Sequence, residues 1–199
     1  MKSFLNRADL IEALSLLIAQ LRARRQPGEI RIVGGAAIAL SYFDRGLTED
    51  VDLLNLKIGT NEAVEDAALA VADHLDLAEK WLNFDVTRAD ALPTYGQDVE
   101  WITLYQTGDI TVQVPSPEAL LVMKLRANRP GRDTSDIRQL LSICQVVTVS
   151  AAEELYESYY PGDSLPDRAL GILISIFAEG QLPVPATPPR PIFQVNEND

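Results

Sequence analysis

Histidine and cysteine are almost missing from this 199-residue chain, where His74 and Cys144 are single representatives. One cysteine excludes an internal disulfide framework and suits a reducing cytosol. One histidine excludes a His-based triad, and the two residues together leave no ligand set for zinc. Cys144 lies in the apolar run "LLSICQVV" and reads as a core thiol rather than a nucleophile, while His74 falls on a polar, solvent-exposed helix face. Long apolar runs are missing too. "LIEALSLLIAQL" is shorter than the roughly 18 residues that indicate a membrane span, and it carries Glu12. Arg7, Asp9 and Glu12 break up any secretory leader. The expectation is a cytoplasmic protein with no membrane partner. Basic charge is scarce as well: 17 Lys and Arg face 29 Asp and Glu, a net charge of -12. That balance argues against a broad, non-specific grip on nucleic acid.

What is present is ordinary globular material, 47% hydrophobic and 23% charged, enough for one sizeable domain or a domain with a small appendage. The scarce basic residues cluster as Arg22, Arg24, Arg25 and Arg31, and again as Lys124, Arg126, Arg129, Arg132 and Arg138. They read either as one local anion site or as solvated helix ends. There is no internal repeat. Helical spacing of Leu10, Leu14, Leu17, Ile18 and Leu21 predicts a helix over 4–25. "EIRIV" is a short strand, residues 36–43 a short helix, and "DVDLLNLKI" a second strand. Residues 59–78 form a helix capped by Thr60 or Asn61, and 81–100 are looser. "WITLYQ" and "ITVQV" flank "TGD" as a hairpin. Ser116 and Pro117 open a helix over 117–127, and Asp133 or Thr134 caps another reaching about Val146. Further helices cover 150–159 and 165–179. The Pro-rich stretch 181–199 is neither helix nor central strand, and reads as an extended tail docked on its own domain or on a neighbour, with Ile192 and Phe193 as anchors. The boundaries are thus 1–115, an α/β domain; 116–180, a helical region; and 181–199, the tail.

The chemistry concentrates in "RIVGGAAIALSYFDRGLTEDVDLLNL", from Arg31 to Leu56. Paired glycines at a strand–helix junction, Gly34 and Gly35, let backbone amides approach an anion at a helix N-terminus. Asp50 and Asp52 lie two apart on a strand, on one face and roughly 7 Å from each other. Two carboxylates so close repel unless a cation separates them, and Mg²⁺ commonly joins one or two carboxylates to substrate phosphates. Arg45 and Thr48 lead into the pair. Lys124 lies inside "LLVMKL", where an unpaired ammonium is costly, so it wants an anion: a phosphate, or a carboxylate such as Asp133 or Asp136. Snorkelling from the helix edge is the plainer alternative for Lys124, and an N-cap the plainer one for Asp133.

"VGGAAIAL…DRGLTEDVDLL" resembles the first motif of the polymerase-β-type nucleotidyltransferase superfamily, a Gly-Gly or Gly-Ser turn, a helix, then Asp-x-Asp. Its Arg-x-x-Thr-x-Asp-x-Asp version is similar to small bacterial members related to the AbiEii-type abortive-infection toxins. "VPSPEALLVMKLRANRPGRDTSDIRQLL" resembles the second block of those families, and "KWLNF" a Trp-Leu-Asn segment in some of them. The likeness spans about residues 30–145. It implies an α+β fold: a small mixed nucleotidyltransferase sheet flanked by helices, followed by a C-terminal helical bundle. It also implies Mg²⁺ (or Mn²⁺) on Asp50 and Asp52, and a nucleotide held by Gly34, Gly35, Arg45, Thr48 and Lys124. Catalytic roles fall to Asp50, Asp52, Lys124 and Asp133, with Asp133 or Asp136 ordering the lysine or the metal. The implied reaction moves a nucleoside monophosphate from an NTP to an RNA hydroxyl, tRNA if toxin-like, or to a protein hydroxyl. A cognate antitoxin would be a further partner. The chain departs from the pattern where a third carboxylate is usual. The corresponding strand, "ITVQV", offers Gln113, with Asp109 only preceding it. Either Asp85 or Asp133 substitutes, or the metal site is thinner, or the chain is a degenerate fold that binds nucleotide or a partner protein.

Overall fold

A computed structural model describes residues 2–54, 61–86, 93, 96–129 and 131–195. The chain divides into two compact units. The first comprises Met1–Arg88, Trp101–Val114 and Thr187–Asp199; the second comprises Ala89–Glu100 and Pro115–Ala186. Among the described residues the architecture is α+β, with a five-stranded mixed sheet.

In the first unit, α1 (Arg7–Ala23) starts three residues later than its periodicity suggested, because Asn6 and Asp9 form a reciprocal capping box. Leu10, Leu14, Leu17, Ile18 and Leu21 are all fully buried on it, and α1 packs on α2 (Gly34–Ser41) and α3 (Asn61–Leu75). The strands are β1 (Gly28–Val33), β2 (Val51–Leu53), β3 (Leu82–Asn83), β4 (Trp101–Thr107) and β5 (Ile110–Pro115), in the order β3-β2-β1-β5-β4. β1 runs antiparallel to β2, pairing Val33 with Asp52, and parallel to β5, pairing Arg31 with Gln113. β2 runs parallel to β3, pairing Asp52 with Asn83.

Side chains alternate along each strand, so register partners share a face. One face carries Ile30, Ile32, Val51, Leu53, Leu82, Val112 and Val114, all buried. The other carries Arg31, Asp52, Asn83 and Gln113, all half-exposed. A sheet apolar on one side and polar on the other presents its polar residues as a surface, and that surface holds the Asp-x-Asp. β2 is shorter than the run "DVDLLNLKI" suggested: Asp50 precedes it, and residues 55–58 lie outside those described, as does Thr60, one of the two caps considered for α3. The glycine pair forms the first turn of α2 rather than a separate turn before it.

The extended segment 187–195 belongs to this unit. Arg190 Nη2 donates to the carbonyls of Thr103 (2.8 Å) and Leu104 (3.2 Å) on edge strand β4. The Phe193 ring meets Tyr105 edge-on at 6.0 Å, Gln194 N–H donates to Ser15 Oγ, and Arg7 donates to the Pro189 carbonyl. Of the two anchors expected here, Phe193 is buried, whereas Ile192 is 79% exposed and anchors nothing. In an extended chain neighbouring side chains point opposite ways, so only one of the two can face the domain.

The second unit is helical: α4 (Pro117–Ala127), α5 (Asp133–Ile143), α6 (Val149–Tyr159) and α7 (Asp167–Ala178). α4 packs on α5 and α6, and α6 on α7. Ser116 Oγ caps α4 at the Ala119 N–H, with Pro117 at the first helical position. α5 differs from expectation. Its N-cap is Arg132, without a side-chain cap, and Asp133 is already inside the helix. The Asp133 carboxylate is drawn away from the capping role by cations described below. Among the described residues, no helix is long and apolar enough to cross a membrane.

Candidate active site

The site grows from the junction of β1 and α2. Val33, the N-cap of α2, offers no side-chain hydrogen bond, so the first-turn N–H groups are not consumed by a cap. Gly34 is half-exposed and sits at φ +65°, a left-handed conformation that disfavours residues with a Cβ. A Cβ at Gly34 would lie 2.8 Å from Asp52 Oδ2, and one at Gly35 would lie 2.9 Å from both Arg45 Cζ and Thr48 Oγ1. The absent side chains are therefore what lets the helix start, Asp52, Arg45 and Thr48 share one corner. The loop behind them is fixed: Gly46 N–H donates to Asp44 Oδ1, Arg45 Nη1 to the Leu47 carbonyl at 2.7 Å, and Thr48 exchanges backbone hydrogen bonds with Leu5.

Asp50 and Asp52 are both half-exposed. Thr48 Oγ1 donates to the Asp50 carbonyl (3.2 Å), and Asn83 Nδ2 donates to Asp50 Oδ2 (3.0 Å). Asn83 is itself locked, since its Oδ1 accepts from the Asp85 N–H at 2.9 Å. Across β1, Gln113 accepts from Arg31 Nε and donates to Thr103 Oγ1, both at 3.1 Å. Arg31 also pairs with Glu29 (3.1 Å), and its guanidinium lies 4.7 Å from the Trp101 ring centre. Gln113 thus ties three strands together with both ends of its amide. Among the described residues, no group of three or more His, Cys, Asp or Glu could hold a metal. The donors that remain are two carboxylates, hard oxygen ligands of the kind magnesium accepts alongside water and phosphate.

The second unit places Lys124 and Asp133 in one buried cluster. Lys124 Nζ lies 2.6 Å from Asp133 Oδ1 and 2.9 Å from Asp136 Oδ2, and all three side chains are at most 4% exposed. Asp133 Oδ2 also accepts from the Arg129 backbone N–H (2.8 Å) and Nε (3.2 Å). Burial alone would raise the Asp133 carboxyl, but the Lys124 ammonium and the Arg129 donors hold it below the usual carboxylate range. Of the anions open to Lys124 on sequence grounds, the structure supplies carboxylates.

A family model for "Nucleotidyltransferase of unknown function (DUF6036)" matches residues 9–167. The chain belongs to this nucleotidyltransferase family. No curated protein and no solved structure matches it.

The family match takes in the glycine corner, the aspartate pair, the whole sheet and helices α4 to α6. Sequence reading of this nucleotidyltransferase missed Asn83 as a partner of Asp50, although "KWLNF" was the available signal. The second basic cluster also looks different with side chains in place. Besides Lys124 and Arg129, Arg126 pairs with Asp163 at 2.7 Å and Arg138 with Glu179. Arg24 and Arg25 are exposed and Arg22 half-exposed at the end of α1. Cys144 is half-buried at the end of α5, where burial and the Glu118 charge push its thiol up to about 12, and His74 is exposed.

Proposed function

We propose that the protein transfers a nucleoside monophosphate from an NTP to a hydroxyl of RNA or protein. One observation carries this reading: Gly34 abuts the Asp52 carboxylate, so the anion-binding helix start and the aspartate pair form one corner. The α2 amides and Arg45 would hold the phosphates, and Asp50 and Asp52 would hold Mg²⁺ or Mn²⁺. Such an ion supplies charge neutralisation at the triphosphate and at the attacking and leaving oxygens. The acceptor oxygen attacks the α-phosphorus in line. The bond to the bridging oxygen of the β-phosphate breaks, pyrophosphate leaves with the electron pair, and the hydroxyl proton passes to solvent. Lys124 and Asp133 act here by fixing α4 against α5. The likeness to AbiEii-type toxins favours tRNA as acceptor and a cognate antitoxin as partner.

Labelled NTPs, supplied one at a time with Mg²⁺ and total tRNA or total protein, test this reading. The wild type labels one acceptor and Asp52→Ala does not. A second reading, a non-catalytic nucleotide-binding module, is favoured by Gln113, whose amide is spent on Arg31 and Thr103. Nucleotide binding without transfer from any of the four NTPs would decide for the module.

A further inference from the structure

A cavity of about 540 Å³ adjoins the aspartate pair through one shared residue, Asn83, which lines it and donates to Asp50. Asn61, Glu65 and Leu69 of α3 form one wall, and Asn83, Phe84 and Asp85 another. We propose that this cavity is the nucleoside subsite, taking the base and ribose of the nucleotide whose phosphates the glycine corner holds. It rests on the transfer reading above.

Size and chemistry both fit. The volume lies within the range of about 300–1,000 Å³ usual for small-molecule sites. Leu69 is 46% exposed and Phe84 half-exposed, apolar surface that a flat base covers by stacking. The Asn61 amide offers a donor and an acceptor to a base edge, and the Glu65 and Asp85 carboxylates accept from ribose hydroxyls. Electrostatics fixes the orientation. The lining carries Glu65, Glu79 and Asp85 against Lys80 alone, so phosphate is repelled and the uncharged end of a nucleotide is admitted. Arg45 and the start of α2 lie instead at the glycine corner, beside Asp52. Asn83 has both amide ends committed and separates the two parts, so reading of the base falls to Asn61.

Calorimetric titration of the full chain with NTPs, ribonucleosides and inorganic triphosphate, each with Mg²⁺, tests the assignment. Leu69→Trp fills the cavity from an exposed position, and Phe84→Ala removes the stacking surface; Asp52→Ala disables the corner. The expected result is that an NTP binds the wild type at least tenfold more tightly than triphosphate. Leu69→Trp and Phe84→Ala abolish that advantage without weakening triphosphate, and Asp52→Ala weakens triphosphate while leaving ribonucleoside binding within twofold. Equal wild-type affinity for NTP and triphosphate, or an advantage indifferent to both cavity variants, overturns the subsite and leaves the transfer reading standing. A ribonucleoside that binds and responds to Leu69→Trp, with no triphosphate binding, makes the cavity a nucleoside site without a phosphate corner and overturns both the subsite as proposed and the transfer reading. No binding of any probe overturns both.

Discussion

At the scale of single residues, the two glycines with positive φ on either side of Arg45 separate backbone strain from steric conflict. Gly34 (φ +65°) faces Asp52 Oδ2, whereas nothing lies within 4 Å of a Cβ built at Gly46 (φ +82°). Alanine at either position costs about 1–3 kcal/mol of stability through the left-handed backbone. Only Gly34→Ala also pushes the Asp52 carboxylate aside. Transfer is therefore expected to vanish in Gly34→Ala and to survive in Gly46→Ala at matched folding, measured by acceptor labelling beside thermal melts. Equal loss in both would mean that strain, not the Asp52 contact, explains the glycine. The corner was legible because its parts are close in sequence and each has a recognised local chemistry. Asn83 was not, because "KWLNF" marks the segment but nothing local shows that its amide reaches Asp50, 33 residues away.

At the scale of elements, α4 and α5 are joined by the Lys124–Asp133–Asp136 cluster. Removing the cation alone leaves two buried carboxylates, so Lys124→Met is expected to destabilise by about 3–5 kcal/mol at neutral pH. The pH dependence follows from Asp133, whose folded carboxyl titrates below its ordinary range. Its contribution is complete above that range and is lost as pH falls through the folded value. Wild type should thus lose stability in acid faster than Lys124→Met, and the gap between them should narrow between pH 7 and pH 3 in denaturant titrations. A constant gap would remove the ion cluster as its cause. The α4 start was readable from Ser116 and Pro117, which act within one turn. The α5 start was not, because Asp133 is claimed by Lys124 and Arg129, and tertiary pairing overrides a capping preference. The segment over β4 follows the same logic: pattern gave two apolar candidates, and packing uses one. Phe193→Ala is expected to cost about 1.5–3 kcal/mol, while Ile192→Ala stays near wild type in the same melt.

At the scale of the molecule, the net charge of -12 limits how the proposed RNA acceptor would be held. Four of the five residues of the second basic cluster are engaged by carboxylates, whereas in the first cluster Arg24 and Arg25 are exposed and Arg22 is half-exposed. Three phosphate contacts give a slope of only about -2 to -3 in log affinity against log salt. Filter binding of the labelled acceptor across a salt series measures it, and a much steeper slope would point to contacts elsewhere. Ligand linkage gives a second check. An NTP with Mg²⁺ at one hundred times its Kd should stabilise the unit it binds by about 2.7 kcal/mol, and Asp52→Ala should largely erase the accompanying rise in melting temperature.

The first unit is discontinuous along the chain: β4 and β5 follow the insertion Ala89–Glu100, and segment 187–195 arrives only after α7. During synthesis, the ribosome must deliver all four helices of the second unit before Arg190 can reach the β4 carbonyls. Until then the Thr103 and Leu104 carbonyls of edge strand β4 lack the Arg190 donor, and Tyr105 is not yet covered by Phe193. The interval between those two events is when a growing chain is most exposed to pairing with a neighbour on the same message.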